Sequence, residues 1–139
     1  MALIDYENRF SDSQDIGTQA AGSVASTNII DITNVGDATD ELYVVVQIEE
    51  GVTSGGAATV KFEFETDDNA GFASATTIFD SGAVPKATLV KGYKVFRHRI
   101  PVNALEQFCR INVTVAVATL TAGIFHAYLV KDEGMHSTE

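Results

Sequence analysis

The sequence predicts an all-β fold, because its apolar residues alternate along several segments and no twelve-residue window shows a helical period. Residues 41–50 read ELYVVVQIEE, and every second position there is aliphatic: Leu42, Val44, Val46 and Ile48. Residues 59–66, TVKFEFET, also alternate, with Val60, Phe62 and Phe64 on one face and Lys61, Glu63 and Glu65 on the other. The linking residues GVTSGGAA contain Gly55 and Gly56, which suit a hairpin loop. The two segments are therefore predicted to form a central antiparallel pair.

Shorter alternating segments, separated by turn residues, predict the remaining elements. Residues 23–32, 75–80, 92–100, 108–118 and 124–130 are interpreted as strands, and residues 102–107 as a single helical turn. In 108–118 the inward residues are predicted to be Cys109, Ile111, Val113, Val115 and Val117. We expect a common core of Val44, Val46, Phe62, Phe64, Val113 and Val115. Seven or eight short strands are typical of a sandwich or a barrel, and our first choice is a jelly-roll-like antiparallel β-sandwich.

The chain of 139 residues fits one domain, which we divide into three parts. Residues 1–22 are predicted to form an extended N-terminal arm, residues 23–132 the sandwich, and residues 133–139 a polar tail. We expect Ile4, Tyr6 and Phe10 to anchor the arm on a partner chain. No run of apolar residues is long enough for a membrane span, and the first residues do not resemble a signal peptide.

The charge is strongly acidic overall but unevenly distributed. The formal net charge is −10, which argues against binding to nucleic acid or an anionic membrane. Between residues 81 and 105 there is no acid, and the basic residues are Lys86, Lys91, Lys94, Arg97 and Arg99. If Phe96 faces the core, Arg97 and Arg99 share the outward face of one strand. They are predicted to meet acidic groups of another subunit; the alternative is pairing within the chain, for instance with Glu63 or Glu65.

No residue pattern indicates a catalytic, cofactor or metal site. The histidines are not spaced as a ligand pair, and they are His98, His126 and His136. A nucleophile elbow of the GxSxG type is missing, although a triad assembled only in space stays possible. Asp67, Asp68 and Asn69 carry oxygen ligands suitable for calcium, but their spacing favours a turn. The single cysteine, Cys109, is interpreted as a small buried hydrophobe.

The segments, taken in order, resemble the capsid cement (decoration) proteins of short-tailed phages. They are FSDSQDI at 10–16, ASTNIIDI at 25–32, LYVVVQIEE at 42–50, DDNAGFASAT at 67–76, KGYKVFRHRIP at 91–101 and TAGIFHAYLVKD at 121–132. No single motif is diagnostic, but the resemblance spans nearly the whole chain. It departs from the family at residues 19–28, which form a longer stretch than expected there.

The resemblance implies a jelly-roll-like protein on the exterior of the virion, made in the host cytoplasm. Its partners would be the major capsid protein and further copies of itself, often as dimers, and no catalysis or cofactor is implied. A carbohydrate-binding β-sandwich is the alternative, with Tyr43 and Tyr93 as its platform if they share an exposed face. A β-sandwich hydrolase is the third possibility.

Overall fold

The protein is built of β-strands. The computed structural model describes residues 9–31, 42–100 and 105–131, without the side chains of Leu42 and Lys131. Within these ranges there are ten strands and no helix. The strands are β1 (Arg9–Asp15), β2 (Gly22–Ala25), β3 (Ile30–Asp31), β4 (Leu42–Ser54), β5 (Thr59–Asp67), β6 (Thr76–Asp80), β7 (Val84–Pro85), β8 (Lys94–Arg99), β9 (Phe108–Ala116) and β10 (Leu120–Lys131). Accordingly, no helix in these ranges is long and apolar enough to span a membrane.

The strands form two antiparallel sheets with jelly-roll connectivity. The four-stranded sheet has the order β1-β10-β4-β8, and the six-stranded sheet has the order β2-β9-β5-β6, with β3 beside β9 and β7 beside β5. Pairing proceeds from the ends of the chain inwards: β1 with β10, β2 with β9, β4 with β8, and β5 with β6. This order confirms the prediction of a jelly-roll-like antiparallel sandwich.

The core lies between the two sheets and contains the residues that alternation predicted. Six of these residues have at most 1% of their surface exposed: Val44, Val46, Phe62, Phe64, Val113 and Val115. Edge-to-face aromatic contacts join the sheets, because the ring centroid of Phe62 lies 5.3 Å from that of Phe125 on β10. The prediction that these two segments form a central antiparallel pair is wrong, because β4 and β5 lie in opposite sheets. Strand β4 pairs with β10 and β8, and β5 pairs with β9, β6 and β7, so the two strands face each other across the core.

Several of the predicted strands have different limits in the structure; β10, for example, begins at Leu120 rather than at residue 124. Residues 23–32 form two short strands, because the chain turns at Ser26, whose Oγ donates to the Asn28 carbonyl. The β9 strand ends at Ala116, so the prediction that Val117 faces the core is wrong. Val117 lies in the turn that takes the chain from one sheet to the other, and its side chain is 73% exposed. The predicted helical turn falls partly outside the described residues, and residues 105–107 are irregular.

The segment predicted as an extended arm contributes a strand to the sandwich. Strand β1 pairs with β10, although bulges shift its register on both sides of Ser11. Phe10 is fully buried, with its ring centroid 5.8 Å from that of Phe64. Strand β1 therefore belongs to the sandwich, although it lies within the segment predicted as an arm, residues 1–22. Ile4, Tyr6 and the tail at 133–139 lie outside the described residues.

Candidate functional site

The outward face of β8 carries the two arginines that the sequence analysis singled out. Arg97 lies opposite Val45 and Arg99 opposite Tyr43 on β4, so the two guanidinium groups are on the same side of the sheet. Both arginines are exposed, whereas Phe96 between the sheets is buried. Strand β8 is also an edge of the four-stranded sheet. The predicted outward orientation of the arginine pair is therefore confirmed.

The outward side of the same sheet also has an apolar centre. Val45, Tyr128 and Val130 form a small buried cluster with Tyr43 packed against it, separate from the main core. The register places Tyr128 beside Val45 and Val130 beside Tyr43. The four-stranded sheet is thus apolar on both sides, and the β8 arginines flank its outward apolar cluster. Because Val45, Tyr128 and Val130 are at most 7% exposed, this cluster is covered by the chain itself and is not an open apolar surface.

The acids proposed as alternative partners of the β8 arginines are bound elsewhere. Glu63 Oε2 lies 3.2 Å from Lys61 Nζ. Arg110 Nε donates to Glu65 Oε1 over 2.9 Å, and its guanidinium carbon lies 4.2 Å from the centroid of the Phe72 ring. These contacts all belong to the six-stranded sheet. The β8 arginines therefore do not pair with Glu63 or Glu65, which lie on the other sheet with bases of their own. Pairing of the arginines elsewhere within the chain stays the alternative to a contact with another subunit.

A buried carboxylate organises the loop between β5 and β6. Asp67 accepts hydrogen bonds from the backbone N–H of Ser74 at 2.9 Å and from that of Asp68 at 2.7 Å. Chiefly because of the Ser74 bond, the pKa of the Asp67 carboxyl is below its ordinary value. Asn69 Oδ1 accepts from Gly71 N, as expected of a turn. The turn interpretation of this acidic stretch is confirmed.

Carboxylate oxygens of Asp67, Asp68 and Glu106 lie within 4.8 Å of one another. Asn69, the third ligand considered from the sequence, is occupied by its own turn. Asp67 already accepts hydrogen bonds from the loop that it organises. Of the three carboxylates, that of Asp67 is therefore already engaged by the local fold.

The two histidines in the described ranges lie in different environments. His98 packs its ring against Phe79, with centroids 4.9 Å apart. His126 lies on the outward face of β10, where its Nδ1 is 3.7 Å from Glu49 Oε1. Ser13 donates its hydroxyl hydrogen to the same Glu49 oxygen. Because the serine bonds to the carboxylate and not to the imidazole, this cluster lacks the nucleophile–base pair of a Ser/His/acid triad. Sequence reasoning missed the cluster, since its members meet only through the register of three strands.

The tyrosines considered for a carbohydrate platform do not share an exposed face. Tyr43 packs against the outward apolar cluster, whereas Tyr93 packs against the main core. Cys109 is buried as predicted, and burial raises the pKa of its thiol to about 12. Neither the tyrosine pair nor the cysteine therefore offers a binding or reactive site of the kind considered from the sequence.

Comparison with known proteins connects this architecture to a family. A search of curated proteins gave no match. The family model described as Bbp16 matches residues 10–129, from within β1 to within β10. The match covers most of the chain and includes the β8 arginines. The protein therefore belongs to the Bbp16 family.

Proposed function

We propose that the protein is a structural capsid cement protein, which binds the outside of an assembled phage capsid and clamps neighbouring major capsid subunits. The observation that carries the proposal is the pair Arg97 and Arg99, exposed side by side on an edge strand of a chain with net charge −10. The jelly-roll topology and the ordered resemblance of its segments to cement proteins support it. The protein would act on the capsid exterior, with no role in binding nucleic acid or membranes.

The physical basis of the proposed clamp is electrostatic and repetitive. Planar guanidinium groups pair bidentately with carboxylates, so Arg97 and Arg99 suit acidic groups of another subunit. Exposed ion pairs contribute little individually, at about 0–1 kcal/mol each. Copies linked as a homo-oligomer would gain from avidity, because each contact after the first becomes intramolecular. The clamp would therefore need only a modest interface on each capsid subunit.

The test is binding of the purified protein to empty shells of the phage that encodes it, measured from low to high salt. Arg97→Ala plus Arg99→Ala should weaken binding and make its salt dependence shallower, because two charges leave the interface. Arg9→Ala plus Lys61→Ala is the matched control, since it removes the same charge from other surfaces. Bound wild-type protein should also raise the resistance of the shells to heat.

Circular dichroism and thermal unfolding would establish that both double variants keep the fold. Failure of the wild-type protein to bind shells would overturn the proposed function. If the β8 double variant binds as strongly as wild type at every salt concentration, Arg97 and Arg99 are not part of the interface.

A further inference from the structure

Four connections between the two sheets lie together at one end of the sandwich. They are residues 16–21, 55–58, 86–93 and 117–119, and we call them the loop end. Hydrogen bonds join them in a row: Leu120 N donates to the Gln19 carbonyl at 3.0 Å, and Lys86 N donates to the Ala58 carbonyl at 3.1 Å. Ser54 Oγ donates to the Thr119 carbonyl at 2.7 Å. The loop end is therefore one continuous surface.

The loop end differs from the rest of the chain in its charge. The protein has 19 acidic residues, and none of them lies in these four connections. The charged residues there are Lys86, whose Nζ donates to the Ser54 carbonyl, and the exposed Lys91. Asp67, Asp68 and Glu106 instead gather near the connection between β5 and β6. Within its connections this end of a chain of net charge −10 thus carries lysines as its only charged residues, and the exposed Asp15 lies directly before the first connection, where its carboxylate accepts a hydrogen bond from Gly17 N.

The loop end also exposes apolar side chains. Among the described residues, the most exposed large hydrophobic ones are Val117 at 73% and Val90 at 55%, and both belong to it. The backbone of Val117 has a φ of 78°, which is unfavourable for a β-branched residue and natural for glycine. Burial does not explain a valine at this position. A single exposed valine is ordinary, but a β-branched residue held at an unfavourable φ without being buried suggests a use outside the chain.

The loops around Val117 pack closely against each other. A Cβ added at Gly56 would lie 2.8 Å from the Cβ of Ala118, so the loop at 55–58 approaches the loop at 117–119 closely. The hydrogen bond between Ser54 and Thr119 holds the same two loops. The neighbouring loops therefore hold the Val117 loop in place, so that less conformational entropy is lost when Val117 binds a partner.

We infer that the loop end docks into an apolar hollow of the major capsid protein, with Val117 as the inserted anchor. This inference rests on the proposed function and identifies the surface that would sit on the shell. The hollow would have an acidic margin to complement Lys91, because Lys91 is exposed next to Val90 in the same loop end. A second copy of the chain is the alternative occupant: two loop ends placed face to face would bring together their lysines, with Asp15 as the carboxylate beside the connections, and the sedimentation measurement below distinguishes this case.

The experiment measures binding of full-length variants to empty shells, together with thermal unfolding and sedimentation of the free protein. Val117→Gly removes the apolar side chain while adopting the left-handed backbone without strain. We expect unchanged or higher thermal stability and about tenfold weaker binding, as for an interface anchor. Val117→Asp should bind more weakly still. The matched control is Ile29→Asp, which changes an exposed apolar residue next to β3, at the opposite end of β9.

Combined loss of binding and retention of stability in Val117→Gly would support the inference, because a structural role would move both quantities in the same direction. Shell binding by both Val117 variants at wild-type strength would overturn it while leaving the proposed function intact. A changed sedimentation coefficient of free Val117→Asp, with normal shell binding, would also overturn it and make the loop end a contact between copies. Wild-type protein that binds no shells would overturn the proposed function itself.

Discussion

Replacing Phe62 with alanine tests whether the sandwich core depends on the contact between β5 and β10. The Phe62 side chain is fully buried, and its ring centroid lies 5.3 Å from that of Phe125 at an interplanar angle of 70°. Truncation of a buried phenylalanine costs about 3–5 kcal/mol, through lost burial and the cavity left behind. The lost edge-to-face pair accounts for about 0.5–1.5 kcal/mol of this cost. For a domain near this size, the unfolding midpoint should fall by roughly 6–20 °C.

Urea unfolding followed by circular dichroism would measure the loss, with an unchanged m-value showing that the same surface is exposed on unfolding. The adjacent control is Lys61→Ala, because Lys61 lies on the outward face of the same strand and contacts Glu63. Its effect should stay within about 0.5 kcal/mol. A loss below about 1 kcal/mol for Phe62→Ala would refute the inward assignment, since no fully buried ring could be removed so easily.

Two further predictions concern buried ionisable groups. The lowered pKa of Asp67 means that its carboxylate stabilises the fold above the pKa of the unfolded chain, and that this contribution is lost as pH falls through the lower folded-state pKa. The free energy of unfolding of Asp67→Asn should therefore depend less on pH in the acid range than that of wild type. The same pH dependence in both proteins would contradict a stabilising role of the Asp67 carboxylate. Cys109 should resist alkylation at pH 8 in the folded protein and react once urea unfolds it, because burial raises its thiol pKa to about 12. Rapid labelling of the folded protein would show that the thiol is accessible.

The long strands could be predicted from sequence because their two faces meet different surroundings. On β5, Phe62 and Phe64 face the core while Lys61 and Glu63 pair on the outside, so alternation identifies the buried face directly. Strand β1 offers little such contrast. Its bulges interrupt the alternation, and Phe10 is its large buried apolar side chain. A strand with one strong core contact therefore resembles an arm in the sequence.

The error at Val117 has a related cause. Its position continues the period-two pattern of Cys109 to Val115, so alternation alone places it in the core. The strand instead ends at Ala116, where the chain must cross to the other sheet. A short crossing changes the backbone direction without interrupting the hydrophobic pattern. Sequence periodicity reports which residues are apolar, whereas the end of β9 depends on the pairing of Ala116 with Thr59 and of Leu120 with Ser54.

The arginine pair and the loop end belong to one extended surface. The connection at 86–93 is part of the loop end, and β8 begins at its next residue, Lys94. The basic residues from Lys86 to Arg99 therefore run from the loop end along the edge of the four-stranded sheet, where Arg97 and Arg99 face outward. A protein held on the shell by Val117 would present this edge sideways, towards a neighbouring subunit. In the proposed function, the apolar tip would then supply the anchor, and the basic edge would supply the contact with the neighbouring subunit.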